Sequence, residues 1–286
     1  MVWICMLFVG IWSTGFIVGR MIVPFADPNL FLLARFLGAS LLFAVVARVT
    51  GAPGLARRDI PKQLLTGGLL QGVYLGGGYW AVANGLAPAG MALLGALQPV
   101  FTACLAGLWL GETMSRRFWL GLVIGVSGVV MVLLPPLLAK GAGHVSVGVV
   151  LVAVGAILSI TCGTLLQKTW AMGADLRTAS IYQNLGAALT AGIIVWLLGE
   201  HRWLPSPVLW GALTWAAIML SGLGTSLLIW LVRRGKASTV SSLMFLAPPL
   251  AALEAWWLFG DRLTAWQVVG FLVALTGVIL CKPVSK

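Results

Sequence analysis

Apolar residues fall in long unbroken runs along this chain, each closed by Gly, Pro or a charged residue, and strand-like alternation is absent from them. The runs predict ten helices, at 2–23, 29–49, 64–84, 89–110, 118–138, 146–170, 177–198, 208–232, 238–259 and 265–281. Most approach the ~20 residues that cross a hydrocarbon core. They are too long and too evenly apolar for barrel strands, so only helices can satisfy their backbone groups in lipid. The predicted fold class is an all-α polytopic membrane protein with ten transmembrane helices.

Composition agrees with the pattern: mean hydropathy is +1.03, with 60% hydrophobic and 9% charged residues. A soluble globular domain has a far more polar make-up. The net charge of +11 would suggest nucleic acid in a soluble protein, but these cations occupy short connections between apolar runs and report topology. With both termini cytoplasmic, thirteen Lys and Arg lie in inner connections and four (Arg20, Lys140, Arg202, Arg262) in outer ones, Arg35 being inside helix two. The first run lacks a basic leader and a small-residue cleavage pattern, so it is read as helix one. Four scattered Cys and two His, without metal-ligand spacing, indicate neither a metal site nor a disulfide, and no cofactor is expected.

The two halves of the chain align with each other. At an offset of 148, Asp27, Leu37, Gly38, Ala39 and Leu41 fall on Asp175, Leu185, Gly186, Ala187 and Leu189. At 149, Pro99, Gly111, Glu112, Gly121, Gly128 and Val129 fall on Pro248, Gly260, Asp261, Gly270, Gly277 and Val278. An ordered series through four helix pairs points to duplication, with units at 2–138 and 146–281. Each unit has an odd number of helices, so the second enters the membrane from the opposite face, and the expected architecture is two inverted five-helix repeats around a midplane cavity.

Trp12-Ser13-Thr14-Gly15 followed by Arg20, Ala34-Arg35-Phe36, and Pro99 followed by Leu110-Gly111-Glu112 and Gly121 stand in the first half; Pro248, Phe259-Gly260-Asp261 and Gly270 stand in the second. In order and spacing this series resembles the drug/metabolite transporter superfamily, in its ten-helix members with paired EamA-type domains. The resemblance covers essentially the whole chain and implies a multi-pass carrier of the bacterial inner membrane, often an exporter of amino acids or related metabolites, with helices 1–4 and 6–9 around the cavity. The superfamily's small multidrug members carry a carboxylate in helix one; none occurs between residues 2 and 23 here.

Polar side chains in hydrocarbon mark candidate sites. Helix six offers Thr161, Thr164 and Lys168 on one face, where the Lys can hold a substrate carboxylate or snorkel to the headgroups. Trp12, Ser13, Tyr79 and Trp80 can wall the cavity, an indole face accepting an ammonium, while the aromatics also suit interfacial belts. Tyr182 and Gln183 in helix seven are either substrate contacts or interhelical glue. Glu254 in helix nine is a proton-coupling candidate, with a salt bridge to Arg35 as the alternative. Pro99 and Pro248 at matched positions are candidate hinges or static kinks. Gly121 and Gly125 form a close-packing stripe, within the bundle or between copies, which leaves oligomeric state undetermined.

Without a Walker loop or a reactive cluster, the expected function is secondary transport of a small molecule, not enzymatic catalysis. Aromatics, hydroxyls and amides without a central carboxylate favour a zwitterion, hence amino-acid export. Drug or cation efflux and import of nucleosides or sugars are the alternatives.

Overall fold

The structure, a computed structural model, describes residues 2–98, 100–102, 104–105, 115–139, 144–170, 173–227, 246–261 and 263–281, the side chains of Val2 and Lys168 set aside. Among the described residues the chain is all-helical, with a single isolated bridge between Ala26 and Trp203. Ten helical units are labelled here α1 (Val2–Met21), α2 (Pro28–Val49), α3 (60–83), α4 (Pro88–Ala96), α5 (Arg116–Leu138), α6 (Val147–Thr169), α7 (Leu176–Leu198), α8 (207–224), α9 (Ala247–Phe259) and α10 (Ala265–Leu280). Among the described residues six helices are long and apolar enough to cross a membrane, in α1, α2, α5, α6, α7 and α8, and α10 is a shorter apolar helix.

Local chemistry sets the ends. Ser115, Ser146, Ser206 and Thr264 accept the orphan amides of their first turns, and Thr264 with Gln267 completes a capping box. Pro28 and Pro207 take first-turn positions where a missing N–H removes nothing. Gly199 and Gly260 stop α7 and α9 in the left-handed region, at φ 65° and 70°. Pro136 inside α5 leaves the Val132 carbonyl without its helical donor, and the Gln267 side-chain amide of α10 fills the vacancy at 3.3 Å.

Two helices wind loosely in part. Gly68–Val73 within α3 and Trp215–Gly224, the second half of α8, are π-helical, with wider turns than an α-helix.

The most extensive packing is between α5 and α10, with α2 on α7 next. Along the α5–α10 seam Gly121, Gly125 and Gly128 lie against Gly270, Ala274 and Gly277, so close that a Cβ on Gly277 would stand 2.1 Å from the Gly125 amide nitrogen. The glycine stripe of α5 therefore packs within the bundle. Further in, α3 packs on α6 and α7, α8 on α1 and α2, and α9 on α1 and α4. Phe8, Phe31, Phe36, Tyr79 and Met91 are fully buried, while Trp3, Leu41, Val123, Leu151, Trp196 and Trp257 are exposed. An apolar exterior of this extent belongs in lipid.

The α2–α7 pair is strapped at both ends. Asp27 accepts the amides of His201 and Arg202 and pairs with the Arg202 side chain at 3.3 Å. Glu200 accepts the amides of Asn29 and Leu30 and the Asn29 side chain, capping α2 from another segment. At the opposite end Arg177 donates to Thr50 and Thr178 to the Pro53 carbonyl.

Candidate functional site

α1 is where the buried polar groups converge. Arg35, 5% exposed, reaches in from α2: its Nε donates to Ser221 Oγ on α8 and its Nη1 to Tyr79 Oη on α3, both at 3.1 Å. Tyr79 passes its own proton to the Gly15 carbonyl of α1 at 2.7 Å, so its hydroxyl is oriented at both ends. Phe31 stacks on the Tyr79 ring and Phe16 meets it edge-on. Gly19, one helical turn beyond Gly15, lets the ring lie against α1: a Cβ there would stand 3.1 Å from it. Two residues before Gly15, Ser13 donates to Glu254 Oε1 of α9 at 2.6 Å, while Glu254 Oε2 is buried and without a partner among the described residues. Thr14 accepts the Trp215 indole N–H at 3.0 Å. A turn and a half further along α1, Arg20 pairs with Asp261 and lies over the Phe259 ring.

Arg35 and Glu254, whose salt bridge was the alternative to proton coupling, are held by hydroxyls on different neighbours: Arg35 by Ser221 and Tyr79, Glu254 by Ser13. Equal depth brought the two to mind, but they approach α1 from α2 and α9.

A second polar group lies among α3, α4, α6 and α7. Gln183 donates to Gln63 at 2.7 Å and lies 3.4 Å from Gln167, and Gln98 donates to Thr164 at 3.0 Å. Thr161, fully buried, bonds back to Ile157 of its own helix. Of the expected site residues the structure thus joins Arg35 to Tyr79 and Ser13 to Glu254, both pairs against α1, and places Thr164 and Gln183 in the second group. Trp12 is half-buried against Phe8, Trp80 packs partly buried on the core, and Tyr182 is half-buried on α7. Pro248 sits in the first turn of α9, where its missing N–H breaks no bond of the described helix. Pro99 and the Lys168 side chain lie outside the described residues. Ser221, Gln63 and Gln98 enter as further partners, and a polar residue within an apolar run was the available signal for Ser221.

Two grooves, of about 480 and 620 Å³, open on the apolar exterior at the α2–α7 and α5–α10 seams. They are lined by Leu, Val, Ile and Trp, with a single Ser, and do not reach the polar groups.

A helical bundle with an apolar exterior and charged side chains buried among its helices is the construction of a multi-pass membrane transporter. The EamA-like transporter family matches residues 1–134 and 146–281, and the chain belongs to that family. It is 28% identical over 283 residues to "Uncharacterized transporter YvbV" of Bacillus subtilis (strain 168), covering 96% of this chain and 89% of the relative. It is 26% identical over 285 residues to "Probable terminal-alkyne amino-acid exporter" of Streptantibioticus cattleyicolor, covering 98% and 92%. A solved crystal structure matches in fold with a TM-score of 0.67 at 17% identity, over 97% of this chain and 95% of the other.

Proposed function

We propose that this EamA-family chain is a secondary carrier that exports amino acids or related small metabolites across the bacterial inner membrane by alternating access. In this reading units 2–138 and 146–281 are inverted repeats and both termini are cytoplasmic. The observation that carries it is Arg35, buried among apolar helices and held, among the described residues, by the hydroxyls of Ser221 and Tyr79 with its guanidinium over the Phe36 ring and no carboxylate on it. Such a group is costly in hydrocarbon and is retained where it meets a ligand.

Matched packing supports the repeat: α3 on α6 and α7 has its counterpart in α8 on α1 and α2, and the π turns fall at matched places in α3 and α8. The α5–α10 seam is reciprocal in the same way, Gly121 meeting Gly277 and Gly128 meeting Gly270. The relative named as an amino-acid exporter supports the substrate class. Ser13 and Tyr79, with Trp12, Trp80, Thr161, Thr164, Lys168, Tyr182 and Gln183 as further candidates, would line the substrate path, and Pro99 and Pro248 would serve as hinges.

Counterflow of radiolabelled amino acids into proteoliposomes holding the purified protein tests this. Uptake of one amino-acid class, reduced at least tenfold by Tyr79→Phe, is expected. A folded preparation that exchanges no amino acid overturns it. Efflux of a cationic compound is the second reading, favoured by Glu254, and a labelled cation in the same vesicles decides between them.

A further inference from the structure

Glu254 sits on a seam between the two units. α1 of the first packs along α9 of the second. Their polar contacts recur at a step of seven residues, from 13 to 20 and from 254 to 261: Ser13 with Glu254, then Arg20 with Asp261. Contacts at that spacing lie along one stripe of a helix pair. Glu254 is thus placed two turns beneath an ion pair that closes the end of the seam.

Its hydrogen bonds count protons. Ser13 has one hydroxyl proton and two acceptors within reach, Glu254 Oε1 at 2.6 Å and the Gly10 carbonyl at 3.0 Å. Glu254 Oε2 is buried without a partner among the described residues, and no cation among them lies within 4 Å of the carboxyl. An ionised Glu254 would set its charge against a share of one proton, which is very costly away from water. With a proton on Oε1 every hydrogen finds an acceptor: the first bond reverses so that Glu254 donates to Ser13 Oγ, and Ser13 donates to the Gly10 carbonyl. What is left unpaired is a neutral carbonyl oxygen, a far smaller cost than a buried charge. The elements packed on α9 bring no other neutralising group among the described residues. α1 has Arg20, held by Asp261, and Cys5, placed two turns before Ser13 beside Phe8 and Val9; α4, Pro88–Ala96, has no titratable side chain.

We propose that Glu254 is the proton site of this carrier: the closed α1–α9 seam encloses it as the neutral acid, and the seam opens with release of the proton. On opening, the Glu254 O–H bond breaks, the proton passes to water on the open side and a carboxylate remains; the bond forms again from that water before the seam closes. Transport is thereby linked to the proton gradient, an inference that rests on the carrier reading above.

The test compares two flows of a labelled amino acid in the same proteoliposomes: counterflow at equal pH, and accumulation driven by a pH difference of either sign. The parent should show both. Glu254→Gln, a lasting mimic of the neutral acid that can still donate to Ser13, should keep counterflow and lose driven accumulation at least tenfold. Accumulation that survives in Glu254→Gln, or a parent with counterflow and no response to the pH difference, overturns the proposal and leaves the carrier standing. Infrared spectra of the purified protein add a readout that needs no substrate. The parent should show a protonated-carboxyl band that Glu254→Gln removes, and a parent without that band overturns the proposal. If Glu254→Gln does not fold, Ser13→Ala takes its place: the band should shift when its acceptor is lost, and an unmoved band overturns the proposal. A parent that exchanges no amino acid overturns the function proposed above, while the infrared band still decides whether Glu254 holds the proton.

Discussion

Gly277→Ala measures how much the α5–α10 seam contributes. The added methyl would stand 2.1 Å from Gly125 N and 2.6 Å from Gly121 O, both backbone atoms of α5 that no rotamer change can move aside. To bring that approach to an ordinary contact of 3.4 Å or more, α10 must retreat by about 1 Å. A gap of ~0.5–1 Å already forfeits a quarter to a half of the dispersion attraction across it, and overpacked cores lose ~1–3 kcal/mol. The lower part of that range is expected to lower the melting temperature of detergent-purified protein by several degrees. Gly155→Ala is the control: it lies on an exposed helix face with no described atom within 4 Å of the new Cβ, where Ala is the better helix former. Because α5 and α10 stand apart from the polar groups on α1, counterflow per folded molecule should survive Gly277→Ala. Equal melting of the two variants would refute the close-packing argument.

Two further outcomes are expected. The Arg177 side chain beside Asp175 holds that carboxyl at about 2, below its ordinary 3.8. Its contribution to stability is therefore whole above pH 3.8 and lost as pH falls toward 2, so a melting-temperature profile should lose a step in that window in Asp175→Asn, which keeps the cap but not the charge. Glu200→Ala uncaps α2 and should lower stability by ~1–2 kcal/mol in the same melting assay. Glu200→Gln should lose about half of that, since it keeps an acceptor and gives up only the charge at the helix N-terminus.

Helix positions were legible because hydrocarbon leaves the backbone no other option: the expected spans 118–138, 177–198 and 265–281 lie within two residues of Arg116–Leu138, Leu176–Leu198 and Ala265–Leu280. Neighbours were not legible to the same degree. Periodicity states which side chains share a face and loop order states depth, but neither gives angular position around a bundle. Depth alone therefore left Arg35 as one possible partner of Glu254, and gave no sign of Tyr79 and Ser221, which hold it. Gln183 carried both readings in sequence, and neither spacing nor composition pointed to Gln63 and Gln167 as its neighbours. The cap that Glu200 supplies from 171 residues away leaves no trace in local spacing.

Any machine that opens first to one side and then to the other needs something that stays still. Strapped by Asp27 and Glu200 at one end and by Arg177 and Thr178 at the other, α2 and α7 cannot slide lengthwise without breaking contacts at both ends together. Under the alternating-access reading proposed above, they would serve as an axle, with the moving parts among the helices packed around it.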